Sequence, residues 1–521
     1  MKNLDKVNNS FLQAETRRDL IILLLLSAIL KAILALFIGV INHDGVLYIT
    51  AAQKLAGGAF KEALAIYGIP LYPLLIALVH YVVPNWVAAA RLVSIVASTF
   101  TIIPLYLLTK EMFSRQAAMW VCAAFALLPL SNHLSVEVIR DPLFLFFLAW
   151  AIYFAHLAIN SKKLLHFLLS SLFCSFSIFC RIEGLVLYLF YILFTFCLSL
   201  GRPKERANLL KGILIYIAPV LLIVIINSLI LSADWSTTFK TNSEIILEIK
   251  RLFNLGFLEN YKLTYNQLKK FETTIPGKAK VQNFIEIVIH YMPIIYLLGL
   301  LESFIKALFP IYLIPLVVGL WHSRNRNGAF ILLLAGCYLL MDFYYLIRMD
   351  SIRVRFLFTP AFLFHPWIGF GLDRLYSYVR VSSRRRLFTV LLVILFALPP
   401  VYRSFRITWK QDDILLKAGK WIAAVPQFKT AGIITTDRRV PFYAGRGLDF
   451  FFYPDPDYLN METFAARSEM DLLIIKTSKK KKNHTPRFKK YRKVEEFVGV
   501  KDIVSICCSP KLYESIQGRK L

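Results

Sequence analysis

The sequence predicts an all-α polytopic membrane protein of about eleven transmembrane helices, followed by a small C-terminal α/β extracytoplasmic domain. Three observations predict it. Of 521 residues, 57% are apolar and 18% charged, against about 25% charged in soluble domains. Uncharged apolar runs recur from end to end, and a helix needs roughly 20 such residues to cross the hydrocarbon core. The basic residues concentrate in alternate short segments between the runs, as the positive-inside rule requires.

The spans fall near 21–41, 86–109, 116–132, 142–160, 164–180, 184–200, 212–232, 304–321, 328–347, 355–372 and 387–402. The first reads as a retained span and not a cleaved leader: it is long, contains Lys31, and no small-residue cleavage site follows. Arg17-Arg18, Lys110 to Arg115, Lys162-Lys163, Arg202 to Lys211, Arg324 to Arg326 and Arg374 to Arg386 all fall on one side. That side is the cytoplasm. The opposite side receives 42–85, 133–141, 181–183, 233–303, 348–354 and the tail. Leu71 to Val83, between Pro70 and Pro84, is short for a crossing and reads as interfacial or re-entrant. Phe284 to Leu301 carries Glu286 and His290 and is expected to lie along the outer surface.

Residues 1–402 thus form a membrane domain that includes outer loops 42–85 and 233–303. Residues 403–521 form a soluble domain. There, Asp412 to Val425 reads as an amphipathic helix. Gly432 to Thr436, Leu472 to Lys476 and Ile503 to Cys507 read as short strands, and Lys479 to Lys482 as a solvated loop. The formal charge of +28 fits topology and anionic lipid head groups. No nucleic-acid module is visible, so nucleic acid is not an expected partner. Cys122, Cys174, Cys180, Cys197 and Cys337 lie in apolar runs as packing residues. Cys507 and Cys508 are adjacent, poor geometry for a disulfide.

Ionisable residues are costly in a membrane, so their placement carries information. Asp44 stands directly after the first span and opens an amphipathic stretch closing at Gly57-Gly58. The second outer loop offers Glu137, Arg140 and Asp141; if helical, it sets Glu137 and Asp141 on one face. Arg181 and Glu183 form the next loop, and Arg91 sits near the outer end of span two. Asp342, Arg348, Asp350, Arg353 and Arg355 gather at the outer end of span nine. A carboxylate can take a proton from an acceptor hydroxyl, and arginines can hold a phosphate leaving group bidentately. Plainer roles stand beside these. Asp44 and Asp141 could each cap a helix, Glu137 could be a solvated loop residue, and Arg181 could simply pair with Glu183. Lys31 has no assigned role.

An ordered set of segments resembles one family. It comprises Asp44 with Tyr48, Ala52 and Gly57-Gly58; Pro70-Leu-Tyr-Pro-Leu-Leu75; and Ala89-Ala-Arg91-Leu. It continues with Arg140-Asp-Pro-Leu-Phe-Leu-Phe146, Cys180-Arg-Ile-Glu-Gly184, Arg355-Phe-Leu-Phe-Thr-Pro360, Ile433-Ile-Thr-Thr-Asp437 and Phe442-Tyr-Ala-Gly445. The set is similar to the GT-C fold membrane glycosyltransferases, in particular the bacterial enzymes like protein mannosyltransferases and the lipid A aminoarabinose transferase.

The resemblance implies a glycosyltransferase on the outer face of a bacterial inner membrane, with the N-terminus cytoplasmic. It implies a polyprenyl-phosphate sugar donor, a lipid, glycan or protein acceptor, and inversion at the anomeric carbon. Asp44 matches the catalytic base and Asp141 the second acid; Glu137 is a further acid for orienting the acceptor. Arg91, Arg181 and Arg355 are the candidates for the donor phosphate. Many relatives have two adjacent acids after span one, whereas Asp44 here lies between His43 and Gly45. His43, His133, Glu137 and His290 do not have a diagnostic metal spacing, so no metal or other cofactor is expected. The alternatives are a transporter or flippase for a lipid-linked or anionic solute, and another lipid-using envelope enzyme. Against transport, no inverted repeat is evident and the charges gather at one face.

Overall fold

The computed structural model describes residues 14–517 except 231–253, 255, 257, 275–278, 324–327, 382, 410–412, 455–457 and 480–487. The basic loop Arg324 to Arg326, Asp412, Lys480 to Lys482 and all of 233–253 therefore lie outside the described residues.

Up to Trp409 the described residues are mainly helical, and most of their buried side chains share one large apolar core. Helix Asp141–Ser161 lies at its centre, buried on nearly every side. Lys162 at φ 58° ends it in the left-handed region, and the chain returns as Leu164–Ile178. The peripheral helix Arg385–Trp409 instead exposes Leu387, Leu391, Ile394, Leu395 and Leu398, as a lipid-facing surface should.

Among the described residues, five helices are long and apolar enough to cross a membrane, or seven if each of two bent pairs is one span. The expected eleven separate spans are not all continuous helices, and the breaks have local causes. Segment 116–132 bends by 55° where Arg115–Leu127 meets Pro129–Val136, because Pro129 brings no amide donor. Segment 304–321 breaks at Phe309, whose φ is 68°, just before Pro310. Segment 355–372 divides into Phe358–Leu363 and His365–Arg380, with Pro366 at the second start. Phe284 to Leu301, expected as one surface segment, falls across two helices meeting at 69° beside Pro293. Leu71 to Val83 forms the short helix Leu71–His80, which buries Tyr72, Pro73 and Ile76.

Two helices touch backbone to backbone. A Cβ on Gly371 would lie 1.7 Å from the Pro315 carbonyl oxygen, and one on Gly319 would lie 2.0 Å from that of Trp367. Small residues permit this closeness. Gly371→Ala is therefore expected to push helices Leu313–His322 and His365–Arg380 apart. Thermal unfolding in detergent should show about 1–3 kcal/mol of lost stability, and unchanged unfolding would contradict the contact.

The tail folds as a five-stranded sheet of order β2-β1-β3-β5-β4. The strands are β1 (Ile433–Thr435), β2 (Phe451–Phe452), β3 (Leu472–Ser478), β4 (Arg492–Val498) and β5 (Asp502–Cys508). β1 runs parallel to β2 and β3, while β5 is antiparallel to β3 and β4. Alternate β3 residues face opposite sides. Leu472 and Ile474 meet Ile414, Ala418 and Ile422 of helix Ile414–Ala424. Leu473 and Ile475 meet Met461 and Ala465 of helix Tyr458–Arg467. With both faces covered, the first four residues of β3, Leu472 to Ile475, read as an unbroken apolar run. Cys507 and Cys508 point to these opposite faces, and both are free. β4 is an edge strand carrying Arg492, Lys493, Glu495 and Glu496, with an irregularity between Lys493 and Glu495.

Candidate functional site

Four consecutive residues, Ile41 to Asp44, are each held by a different group remote in sequence. The Ile41 amide donates to the Tyr443 hydroxyl at 2.7 Å. Asn42 caps helix His43–Ala56 by accepting from the Gly45 amide at 2.6 Å, and donates to Glu137 Oε2 at 2.9 Å. His43 Nε2 faces Asp437 at 3.4 Å. Arg355 Nη1 donates to Asp44 Oδ2 at 3.0 Å. The cap is thus Asn42; Asp44 stands in the first turn, where the helix dipole favours an anion, and its side chain is 37% exposed. The loop after Met349, the loop at Glu137 and the tail all converge on the start of this helix.

Asp141 opens helix Asp141–Ser161 and lies in a buried network. Arg181 bridges it to Glu183, with Arg181 Nη2 donating to Glu183 Oε1 at 2.5 Å. Burial opposes ionisation of Glu183, but the Arg181 guanidinium outweighs it and holds the carboxyl low. Arg181 is 5% exposed, so its head group serves these two carboxylates and not an open face. The Phe356 ring joins the two halves of the site: the guanidinium carbons of Arg181 and Arg355 each lie 5.4 Å from its centroid. Arg140 donates to the Tyr67 hydroxyl and to the Cys180 carbonyl, and the Tyr67 ring meets Tyr48 edge-on at 4.8 Å. Burial pushes the Tyr48 phenol well up; Arg140 opposes this, and Asp44 and Asp141 both add to it. Tyr48 therefore feels both acids.

Glu137 and Asp141 do not share a helical face. The preceding helix stops at Val136, Glu137 is extended, and Asp141 begins the next helix. Glu137 instead turns toward Asn42 and His133, the latter at 3.4 Å. Arg91 sits behind it; its Nε and Nη2 are buried without a hydrogen-bond partner, and it feels Glu137 and Tyr443. Asp342 is wholly buried with both carboxyl oxygens unpartnered. One turn earlier on that helix, Tyr338 donates to the Glu183 carbonyl at 3.1 Å. A cleft of about 200 Å³ opens between the membrane domain and the tail, lined among others by Asn42, Glu137, Arg439, Lys476 and Lys501.

The four residues weighed as metal ligands face separate partners. His43 turns to Asp437, His133 pairs with Glu137, and His290 stacks edge-on with Tyr291. Among the described residues no group of three or more His, Cys, Asp or Glu is placed to hold a metal ion. Sequence reasoning did not single out Tyr67 or Asn42, and Phe356 entered only as part of the Arg355 to Pro360 segment, with no role. Of these, only the Asn42–Gly45 capping spacing was a readable signal.

Residues 68–230 match the sequence model of the family described as dolichyl-phosphate-mannose-protein mannosyltransferase. A search of curated proteins finds no match. Among solved structures, the oligosaccharyltransferase of Archaeoglobus fulgidus tethered to an acceptor peptide superposes with a TM-score of 0.59 at 12% identity, covering 90% of this chain and 69% of that one. The same organism's AglB, in complex with an inhibitory peptide and a dolichol-phosphate, gives 0.56 at 13% identity, covering 89% and 70%. ArnT from Cupriavidus metallidurans bound to undecaprenyl phosphate gives 0.51 at 10% identity, covering 93% and 97%. The chain has the GT-C fold of these membrane glycosyltransferases and over residues 68–230 resembles the protein mannosyltransferases.

Proposed function

We propose that this protein is an inverting glycosyltransferase of a bacterial inner membrane. It moves a hexose or pentose from a polyprenyl-phosphate donor to a lipid, glycan or protein acceptor on the outer face. In this reading eleven segments span the bilayer, several of them as broken helices, with the N-terminus cytoplasmic and the tail outside. The observation that carries the proposal is the Asp44–Arg355 pair, 3.0 Å apart and partly open to solvent, beside the buried Asp141–Arg181–Glu183 network.

The chemistry needs a base and an anion clamp side by side. Asp44 takes the proton of the acceptor hydroxyl as its oxygen bonds to the anomeric carbon. The bond from that carbon to the phosphate oxygen breaks on the opposite side, so configuration inverts, and the polyprenyl phosphate leaves. Arg355 engages the phosphate. A donor phosphate competes with Asp44 for this guanidinium, so donor binding frees the carboxylate to act. Arg181 and Arg91 add positive potential behind Arg355. Asp141 and Glu137 orient the acceptor; Asp141 is held by Arg181, and Glu137 by Asn42.

The test uses purified full-length protein with radiolabelled undecaprenyl-phosphate sugars and cell-envelope extract. Label should pass to the extract with release of undecaprenyl phosphate. Movement of label across vesicle membranes without a new glycosidic product would favour transport instead.

A further inference from the structure

We propose that the C-terminal domain is a working part of the reaction site, and that Asp437 is a positioning residue that fixes Asp44 through His43. The inference rests on Asp44 being the base, as proposed above. Asp437, Arg438 and Arg439 form a turn: Asp437 Oδ1 accepts from the Arg439 amide at 3.1 Å. Yet the carboxyl is 1% exposed, a burial that a turn alone does not require.

Three side chains surround the Asp437 carboxylate. Arg439 donates to it from Nε at 2.9 Å and from Nη2 at 2.6 Å. Lys476 Nζ lies 3.8 Å away and is itself paired with Asp502 at 2.9 Å. The third is His43, 394 positions earlier in the chain, at 3.4 Å. Arg439 Nη2 also lies 3.2 Å from His43 Nε2. The imidazole accepts from Arg439 when Nε2 is bare, and faces the Asp437 carboxylate when Nε2 carries a proton. Burial opposes ionisation of Asp437, but Arg439 outweighs it and keeps the carboxyl below the ordinary range. Burial lowers the His43 imidazole against the pull of Asp437.

The same domain supplies a second tie, the Tyr443 hydroxyl that accepts from the Ile41 amide. Two of the three residues before Asp44 are thus fastened to the tail, and the third to Glu137. The first turn of a helix frays easily, and a base must sit within a fraction of an ångström of its proton donor to work. The tail supplies that restraint.

Two measurements on the full-length protein in detergent test this. Hydrogen exchange needs no substrate. Asp437→Asn keeps an oxygen for the turn and loses the charge; amides 42–48 should exchange about tenfold faster, with strand β3 as protected as before. In the transfer assay with radiolabelled undecaprenyl-phosphate sugar, Asp437→Ala and His43→Ala should each lower kcat by about 10- to 100-fold with donor KM unchanged. The double variant should be no worse than either single one, and His43→Gln should recover part of the rate.

Unaltered exchange at 42–48, loss of β3 protection in Asp437→Asn, or losses that multiply in the double variant would each overturn the positioning role. Full turnover by Asp44→Asn would instead overturn the reading of the base, a separable outcome.

Discussion

Asp44→Asn is expected to lower transfer by about 10²- to 10⁴-fold, the span a general base contributes. Asn keeps the shape and can still meet Arg355, but it cannot hold the proton. The fold should survive. Asn42 caps the helix, so position 44 is not needed for that, and a partly exposed ion pair adds little stability. Apparent melting temperature in detergent should match wild type while kcat collapses. Arg355→Lys should behave differently: it retains charge but loses the fork that grips a phosphate, so donor KM should rise as well. Equal turnover in Asp44→Asn and wild type would remove the proposed mechanism.

The second large effect concerns stability. Arg181→Ala would leave Asp141 and Glu183 buried without their common cation. Removing one partner of a buried pair costs about 3–5 kcal/mol, and here two carboxylates lose it at once. The variant should show a much lower melting temperature or fail to insert. Were Arg181 chiefly a donor-phosphate ligand, its loss would raise donor KM and leave unfolding alone. The two measurements on one variant therefore decide between a structural anchor and a phosphate clamp.

How far the sequence could be read depended on the kind of interaction involved. Hydropathy and basic loops located Asp141–Ser161, Gly184–Gly201 and Ala329–Met349 almost to the residue, because each is one uninterrupted apolar period. The same signal cannot see a break such as Phe309-Pro310, where both sides remain apolar. In the tail, β1, β3 and β5 stood out as apolar runs, whereas β4 is polar and β2 is two residues long. Asp44, Asp141 and Glu183 stood out because charge inside a membrane is expensive and so collects at the ends of apolar runs. Their partners were not. The Arg355–Asp44 and His43–Asp437 contacts span 311 residues and 394 residues respectively, and no local pattern encodes which loop meets which. The helical pairing expected of Glu137 and Asp141 failed for a local reason: the chain turns extended at Glu137.

The margins of the tail's sheet bear on how such a protein lives at high density in a bilayer. An open strand offers unpaired amides and carbonyls to any neighbour, and copies crowded in one plane meet often. One margin ends in a two-residue strand, too short to template another chain; the other carries four charges and an irregular register. Both flanks discourage self-annealing, so the tail can lean across its own first loop without fastening onto the next molecule.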